Sequence, residues 1–154
     1  MKTAPIVAAR IEPSAEGLPY SPTFADVYHP RAGAMEQARH VFLAGNGLPG
    51  RWAGRDDFVI AETGFGLGNN FLATWAAWRA DPQRCARLDF LSVELHPPTR
   101  DELAAWPREI ALAPLAIELA AQWPALTHNL HRLSFEEGRV RLHLAFGDVA
   151  RWVP

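Results

Sequence analysis

The sequence is short of cysteine, of long apolar runs and of net charge, and each shortage excludes a class of protein. Cys85 is the only cysteine, so no internal disulfide and no all-cysteine zinc cluster can form. The apolar stretch after Pro5 is interrupted at Arg10 and Glu12, which leaves it too short for a signal peptide. No run approaches the ~20 apolar residues of a membrane span. We therefore expect a soluble cytoplasmic protein with no membrane partner.

The charge balance gives no general attraction to polyanions. Lys and Arg number 15 and Asp and Glu 17, for a net charge of -2, so binding to a nucleic acid would need a local basic patch. Arg79, Arg84 and Arg87 are close in sequence, but Asp81 and Asp89 are interleaved with them. This pattern favours a solvated surface of mixed charge.

No metal ligands or catalytic nucleophile stand out. His128 and His131 are the only close pair among six histidines, and no carboxylate or cysteine lies near them at ligand spacing. No Gly-x-Ser-x-Gly elbow is present, and Cys85 is interpreted as a passive thiol. We predict no metal, and the residues assign no catalytic group.

Strand and helix patterns alternate along the chain, as in a doubly wound α/β domain. Residues before about Pro30 have no regular pattern, and residues 33–43 favour a helix that ends at Gly45-Asn46-Gly47. The predicted strands are residues 58–61, 88–93 and 140–146. The predicted helices are residues 71–78 and 115–122, together with a segment between them that begins with a Thr99–Glu102 capping box. Crossovers of this length imply right-handed parallel units.

A glycine cluster lies between the first long strand and its helix, in Glu62-Thr63-Gly64-Phe65-Gly66-Leu67-Gly68-Asn69-Asn70. Glycines at every second position let the backbone turn sharply and approach a ligand, while the helix presents free amides. Glu94 ends the next strand, where a carboxylate can accept from both hydroxyls of a ribose, and Asp148 follows the third, where it can accept from an adenine amino group. These features favour an adenosyl ligand at one edge of the sheet.

Two alternatives stay open for these residues. The dinucleotide fingerprint Gly-x-Gly-x-x-Gly would need glycine where the chain has Asn69, which disfavours a NAD- or FAD-binding oxidoreductase without excluding it. Taken singly, Glu94 can be a surface strand end, and Asp148 an ordinary turn or helix cap. Trp75 and Trp78 can stack on a base, although burial under a sheet-covering helix is the favoured interpretation.

Several motifs together resemble a known family, the amino-terminal methyltransferase domain of the bifunctional tRNA 5-methylaminomethyl-2-thiouridine biosynthesis proteins, MnmC. They are Gly17-Leu18-Pro19-Tyr20-Ser21, Phe24-Ala25-Asp26-Val27-Tyr28, Val41-Phe42-Leu43-Ala44-Gly45-Asn46, the glycine cluster, Ser92-Val93-Glu94, Thr99-Arg100, Gln122-Trp123-Pro124 and Phe146-Gly147-Asp148-Val149. The resemblance covers nearly the whole chain, and it implies a class I, Rossmann-like methyltransferase with three layers and a mostly parallel sheet.

The resemblance implies methyl transfer from S-adenosylmethionine to the aminomethyl nitrogen of 5-aminomethyl-2-thiouridine at the tRNA wobble position. It assigns Glu94 to the ribose and Asp148 to the adenine, with Tyr28 and Asn70 as walls of the pocket. The other implied cofactor-binding residues, at the methionine end, are Glu62, Gly64, Phe65, Gly66 and Gly68.

The chain also departs from the family pattern. It has Asn69 where the family has an apolar residue, and it stops at Pro154, before the family's fourth strand and acceptor segment. We therefore expect a partial domain over residues 1–154, with an extension and helix in 1–56 and the first half of the core, with three strands, in 57–154. The expected partners are tRNA and, in a longer protein, a C-terminal FAD-dependent oxidoreductase domain. A fragment that binds cofactor without catalysis is the alternative.

Overall fold

A computed structural model describes residues 4–29 and 33–152, which form a small antiparallel sheet and a larger mixed sheet covered by helices on one face. The strands are β1 (Glu12–Pro13), β2 (Pro19–Ser21), β3 (Asp26–Val27), β4 (Asp57–Thr63), β5 (Arg87–Glu94), β6 (Leu130–Phe135) and β7 (Val140–Phe146). The helices are α1 (Ala34–Gln37), α2 (Asn69–Ala80), α3 (Arg100–Ala105) and α4 (Ala113–Ala121). The α/β class predicted from the alternating pattern is confirmed.

The larger sheet has the strand order β4-β5-β7-β6, in which β4, β5 and β7 are parallel. These are the three predicted strands, each found within a few residues of its expected bounds. The fourth strand, β6, pairs antiparallel with β7 and was not predicted. Only Leu133 and Phe135 are buried in it, and the link to β7 passes through Glu136 and Glu137 at positive φ rather than through an Asn-Gly turn.

The amino-terminal part is more regular than the sequence predicted. Residues before Pro30 were expected to be irregular, but β1, β2 and β3 form a sheet in which Tyr20 pairs with Glu12 on one side and Val27 on the other. Strands of two or three residues are too short to produce a visible alternation, so antiparallel pairing is what defines them. The segment after α1 continues as a π-helix (Ala38–Leu43) and ends in left-handed Gly47, as the glycine pattern predicted.

One face of the larger sheet is covered by α2 and by the segment after α1. The ring of Phe71 on α2 lies 5.3 Å from Phe90 on β5, and Phe42 lies 5.9 Å from the same ring. Trp75 is fully buried and donates its indole N–H to Glu136 at 2.8 Å, while Trp78 is 1 % exposed. The two tryptophans are therefore part of the core, as favoured from their position on a covering helix.

The opposite face of the sheet is bare within residues 4–29 and 33–152. Val59 on β4 is 60 % exposed and Leu91 on β5 is 39 % exposed, although their strand neighbours Phe58 and Phe90 are buried. The three-layer architecture is thus present in part, as two layers. The outer edge of β4 has no strand partner among the described residues.

The capping box that opens α3 forms as the sequence predicted, with Thr99 Oγ1 accepting from the Glu102 amide and Glu102 accepting from the Thr99 amide. We expect Thr99→Ala to lower the free energy of unfolding by about 1 kcal/mol, the usual cost of a lost N-cap. Urea denaturation followed by circular dichroism measures the change. Thr23→Ala, at an exposed position, is the matched control and should change it by less than about 0.5 kcal/mol. Equal losses would contradict the cap.

Candidate functional site

Residues 64–68, between the end of β4 and the start of α2, form a turn that requires glycine at three positions. The φ angles of Gly64, Gly66 and Gly68 are 83°, 55° and 77°, in the left-handed region that glycine adopts without strain. A Cβ added at Gly64 would meet nothing within 4 Å, whereas at Gly68 it would lie 2.8 Å from the Phe65 ring. We call residues 64–68 the glycine turn; it leaves open space at Gly64 and packs tightly at Gly68.

Glu94, at the end of β5, holds the glycine turn against the sheet. Its Oε2 accepts from the Gly66 amide at 2.8 Å, and its Oε1 accepts from the His96 amide at 2.8 Å. The Gly64 amide donates to the backbone oxygen of Val93 at 2.8 Å. The carboxylate therefore points at the turn and not into solvent, because neighbouring parallel strands end at one edge of the sheet.

Glu62, at the end of β4, lies beneath the same turn. One carboxylate oxygen accepts from the Asn70 side-chain amide at 3.1 Å and the other from the Ser92 hydroxyl at 3.0 Å. Burial raises the pKa of Glu62 to about 7, the two hydrogen bonds oppose this rise, and the nearby Glu94 carboxylate adds to it. The chain thus places a carboxylate that exchanges its proton near neutral pH beside the turn.

Tyr28, which follows β3, covers the turn from the side of the small sheet. A ring carbon of Tyr28 lies 3.5 Å from the position of a Cβ built on Gly66. Burial raises the pKa of the Tyr28 hydroxyl, and the carboxylates of Glu94 and Glu102 raise it further. The phenol therefore stays protonated at neutral pH and remains a hydrogen-bond donor.

A hollow of about 240 Å³ opens between the glycine turn and the segment around α1. Its lining includes Tyr28, Gln37, Phe42, Gly64, Phe65, Gly66 and Asn70. The ring of Phe65 is 4 % exposed and stacks on Trp123 with centroids 5.4 Å apart, so this side chain belongs to the core. The structure places Tyr28, Glu62, Asn70 and Glu94 around the turn, and that they bind a cofactor stays a prediction.

Asp148 is less closely associated with this group. The Gly147 amide donates to the backbone oxygen of Glu94 at 2.9 Å, so the end of β7 lies next to the end of β5. The Asp148 side chain is exposed and accepts from the Ala150 amide at 2.9 Å, which caps the short turn after β7. In this structure the carboxylate caps a turn, the alternative that the sequence left open.

Arg108 also reaches the glycine turn, and the sequence did not predict it. Its guanidinium donates to the backbone oxygen of Leu67 at 2.7 Å and to Asn69 Oδ1 at 2.8 Å. Arg108 lies 39 residues beyond Asn69, after a Trp-Pro pair that carries no ligand-binding signature. No local pattern could have connected the two positions.

Neither a metal cluster nor a membrane span is found in the part of the chain that the structure describes. No group of three or more His, Cys, Asp or Glu side chains among those residues can hold a metal ion. No helix there is long and apolar enough to cross a bilayer.

The fold and the turn together define the chain as a partial Rossmann-like α/β unit, whose first βα turn is glycine-rich and faces a carboxylate on the second parallel strand. Comparison with known proteins identifies the relatives more closely. The chain is 60% identical over 154 residues to the tRNA 5-methylaminomethyl-2-thiouridine biosynthesis bifunctional protein MnmC of Methylibium petroleiphilum, covering 100% of this chain and 24% of that protein. It is 58% identical to the protein of the same name from Aromatoleum aromaticum, covering 97% of this chain and 24% of that protein.

The resemblance to MnmC proteins is thus confirmed over the whole chain, which spans about a quarter of the length of the curated relatives it matches. No family model matches the sequence. The crystal structure of MNMC2 from Aquifex aeolicus superposes with a TM-score of 0.64 at 21% identity, covering 94% of this chain and 44% of that one. At this identity the likeness supports the fold alone, and it agrees with a Rossmann-like unit present in part.

Proposed function

We propose that this chain is the cofactor-binding part of an S-adenosylmethionine-dependent methyltransferase that acts on tRNA. One observation carries the proposal: the Glu94 carboxylate lies at the glycine turn, 2.8 Å from the Gly66 amide. A carboxylate at the end of the second strand, next to a glycine-rich first turn, is where an adenosine ribose binds in Rossmann-like folds. The relatives named for tRNA 5-methylaminomethyl-2-thiouridine biosynthesis support the substrate.

The residues at the turn fit the proposed cofactor. Glu94 would accept from the ribose hydroxyls, and the glycines at 64, 66 and 68 would let the backbone approach the methionine end, with open space at Gly64. Glu62 would face the cationic groups of that end. Tyr28 and Asn70 would form the walls, together with the backbone of Phe65, and Asp148 would reach the adenine amino group after turning from its cap.

The cofactor would supply a methyl group on a positively charged sulfur, which a neutral amine nitrogen can attack without acid or base assistance. The proposed role of this chain is therefore to bind and orient the cofactor, because positioning of the reacting groups contributes most to the rate of such a transfer. Buried Glu62 and the carboxylate of Glu94 place negative charge beside the turn, where it favours a cationic ligand. We assign no catalytic residue.

The acceptor would be the aminomethyl nitrogen of 5-aminomethyl-2-thiouridine at the wobble position of tRNA. The relatives are about four times as long as this chain, and we propose that the acceptor-binding part lies in sequence beyond it. In such a longer protein an FAD-dependent oxidoreductase domain would follow the methyltransferase. The proposed location is the cytoplasm, where tRNA is modified.

A second candidate is a unit that binds the cofactor without catalysis. The bare sheet face, on which Val59 is 60 % exposed, and the unpaired edge of β4 favour it, because among residues 4–29 and 33–152 no element provides a second wall for an acceptor. The nicotinamide or flavin alternative is disfavoured by Asn69, which stands where the dinucleotide fingerprint needs glycine.

Calorimetric titration of the folded chain with S-adenosylhomocysteine, in competition with NAD, tests these candidates. We expect saturable 1:1 binding of S-adenosylhomocysteine that NAD at tenfold excess does not displace. Transfer of a labelled methyl group to tRNA carrying 5-aminomethyl-2-thiouridine, measured on a longer protein that joins this chain to the proposed acceptor-binding part, then separates the first two candidates. Binding without transfer would support the non-catalytic unit. Displacement of S-adenosylhomocysteine by NAD would support the oxidoreductase. If the folded protein does not bind S-adenosylhomocysteine, the cofactor proposal is contradicted.

A further inference from the structure

Arg108 is a partly buried cation held by neutral oxygens. Its terminal nitrogens donate to the backbone oxygen of Leu67 at 2.7 Å, to Asn69 Oδ1 at 2.8 Å and to the backbone oxygen of Leu103 at 3.3 Å. Its Nε is buried and has no hydrogen-bond partner among the described residues. Its hydrogen-bond acceptors are two carbonyls and one side-chain amide, and none of them is a carboxylate.

This environment is costly for a cation. Burial lowers the pKa of Arg108 to about 10, and no neighbouring carboxylate offsets the change. The guanidinium nevertheless remains charged at neutral pH. Buried charges are usually paired with an opposite charge, so stability alone does not account for a cation here. The groups that the guanidinium contacts indicate another reason for its presence.

One acceptor of Arg108 belongs to the glycine turn, and a second belongs to the helix that follows it. Leu67 lies within the glycine turn, between two glycines at positive φ, and Asn69 is the first residue of α2. Glycine-rich backbone has many accessible conformations, and the N-cap of α2, Gly68, has no side-chain hydrogen bond to fix it. The planar fork of an arginine can hold two acceptors at once in a fixed geometry.

We propose that Arg108 is a positioning residue for cofactor binding, which through Leu67 and Asn69 holds the glycine turn in the shape that receives the ligand. This inference rests on the proposed function, because it concerns the same turn. It also accounts for Asn69, which differs from both the dinucleotide fingerprint and the apolar residue of the family pattern: its side-chain oxygen is the acceptor that fixes the start of α2 to Arg108.

Titration of four variants with S-adenosylhomocysteine tests the inference. Arg108→Met removes the fork, and we expect it to raise Kd about tenfold. Arg108→Lys keeps the charge but cannot span both acceptors, so it should behave like Arg108→Met. Asn69→Ala should raise Kd about threefold, and the double variant Arg108→Met/Asn69→Ala should be no worse than Arg108→Met alone, because the two residues act as one unit.

Matched controls separate positioning from general destabilisation. Arg84 is also an arginine that donates to a backbone oxygen, that of Arg79 at 3.1 Å, but at the other end of α2 from the turn. Asn129 is an asparagine whose side chain is hydrogen-bonded, to the Thr127 hydroxyl at 3.1 Å, outside the hollow. Arg84→Met and Asn129→Ala should leave Kd within twofold, even where they lower the melting temperature. Should Arg108→Met fail to fold, comparison of Asn69→Ala with Asn129→Ala still decides the question.

The outcomes distinguish this inference from the proposed function. If the unmodified chain binds S-adenosylhomocysteine and Arg108→Met and Asn69→Ala bind it equally well, Arg108 does not position the turn, and the proposed function stands. Additive effects in the double variant, or full rescue by lysine, would also overturn the inference. If the unmodified folded chain does not bind, both proposals fail together.

Discussion

Glu94→Gln is expected to weaken the binding of S-adenosylhomocysteine about 100-fold. In our proposal the carboxylate accepts from both ribose hydroxyls, and hydrogen bonds to a charged group contribute about 1.5–3 kcal/mol each. A glutamine keeps one oxygen for the Gly66 amide, which the carboxylate binds at 2.8 Å, but it loses the second acceptor and the charge. A loss of about 2.7 kcal/mol corresponds to the expected 100-fold change.

Calorimetry measures this change, with Glu118→Gln as the matched control. Glu118 is exposed on α4, so its replacement should leave Kd unchanged. Circular dichroism and the melting temperature verify that the Glu94 variant is folded. A folded Glu94→Gln protein whose Kd rises less than threefold would show that the carboxylate does not contact the ligand.

Glu62→Gln is expected to stabilise the folded chain, by an amount that grows with pH. The pKa of Glu62 is raised from 4.5 to about 7 by burial. Below pH 4.5 the Glu62 carboxyl is protonated in both the folded and the unfolded chain, so its burial costs little. As the pH rises through 7, the buried carboxyl must lose its proton, and the free energy of unfolding falls. Glutamine is neutral throughout, so the variant should gain up to about 3 kcal/mol at pH 8 and almost nothing at pH 4.5.

Urea denaturation at a series of pH values measures this gain, and Glu118→Gln is again the control. The same variant should bind S-adenosylhomocysteine about tenfold more weakly above pH 7, where the ionised carboxylate would otherwise face the ligand's ammonium group. A gain in stability with no loss of affinity would restrict Glu62 to a structural role. A stability difference that does not change with pH would contradict the raised pKa.

The parallel core could be predicted from the sequence because its signals are local. Residues 58–61, 88–93 and 140–146 are short apolar segments followed by turn or helix signals, and each lies within a strand, although burial is least in β4 and greatest in β7. The capping box at Thr99 is likewise a signature contained within four residues. The strand β6 and the small sheet depend on antiparallel partners, so their regularity is a property of pairing and not of their own sequence.

The site shows the same division between local and long-range signals. The glycine spacing at 64, 66 and 68 predicted a backbone turn, and the position of Glu94 at a strand end predicted its meeting with that turn. The burial of Glu62 between Asn70 and Ser92 sets its pKa, and this depends on tertiary packing that the sequence does not state. Arg108 lies outside the parallel core elements and reaches the turn only through the path of the chain after α3.

We expect β4, the strand that leads into the glycine turn, to be a place where the sheet opens under native conditions. Because β4 is hydrogen-bonded only to β5 within the described sheet, alternate amides along it, such as those of Val59 and Ala61, have no ladder partner and exchange readily with solvent. In our proposal a ligand binds at the end of β4, and it would favour the hydrogen-bonded strand by mass action. We therefore expect hydrogen exchange at this edge of the sheet to slow as the concentration of S-adenosylhomocysteine rises.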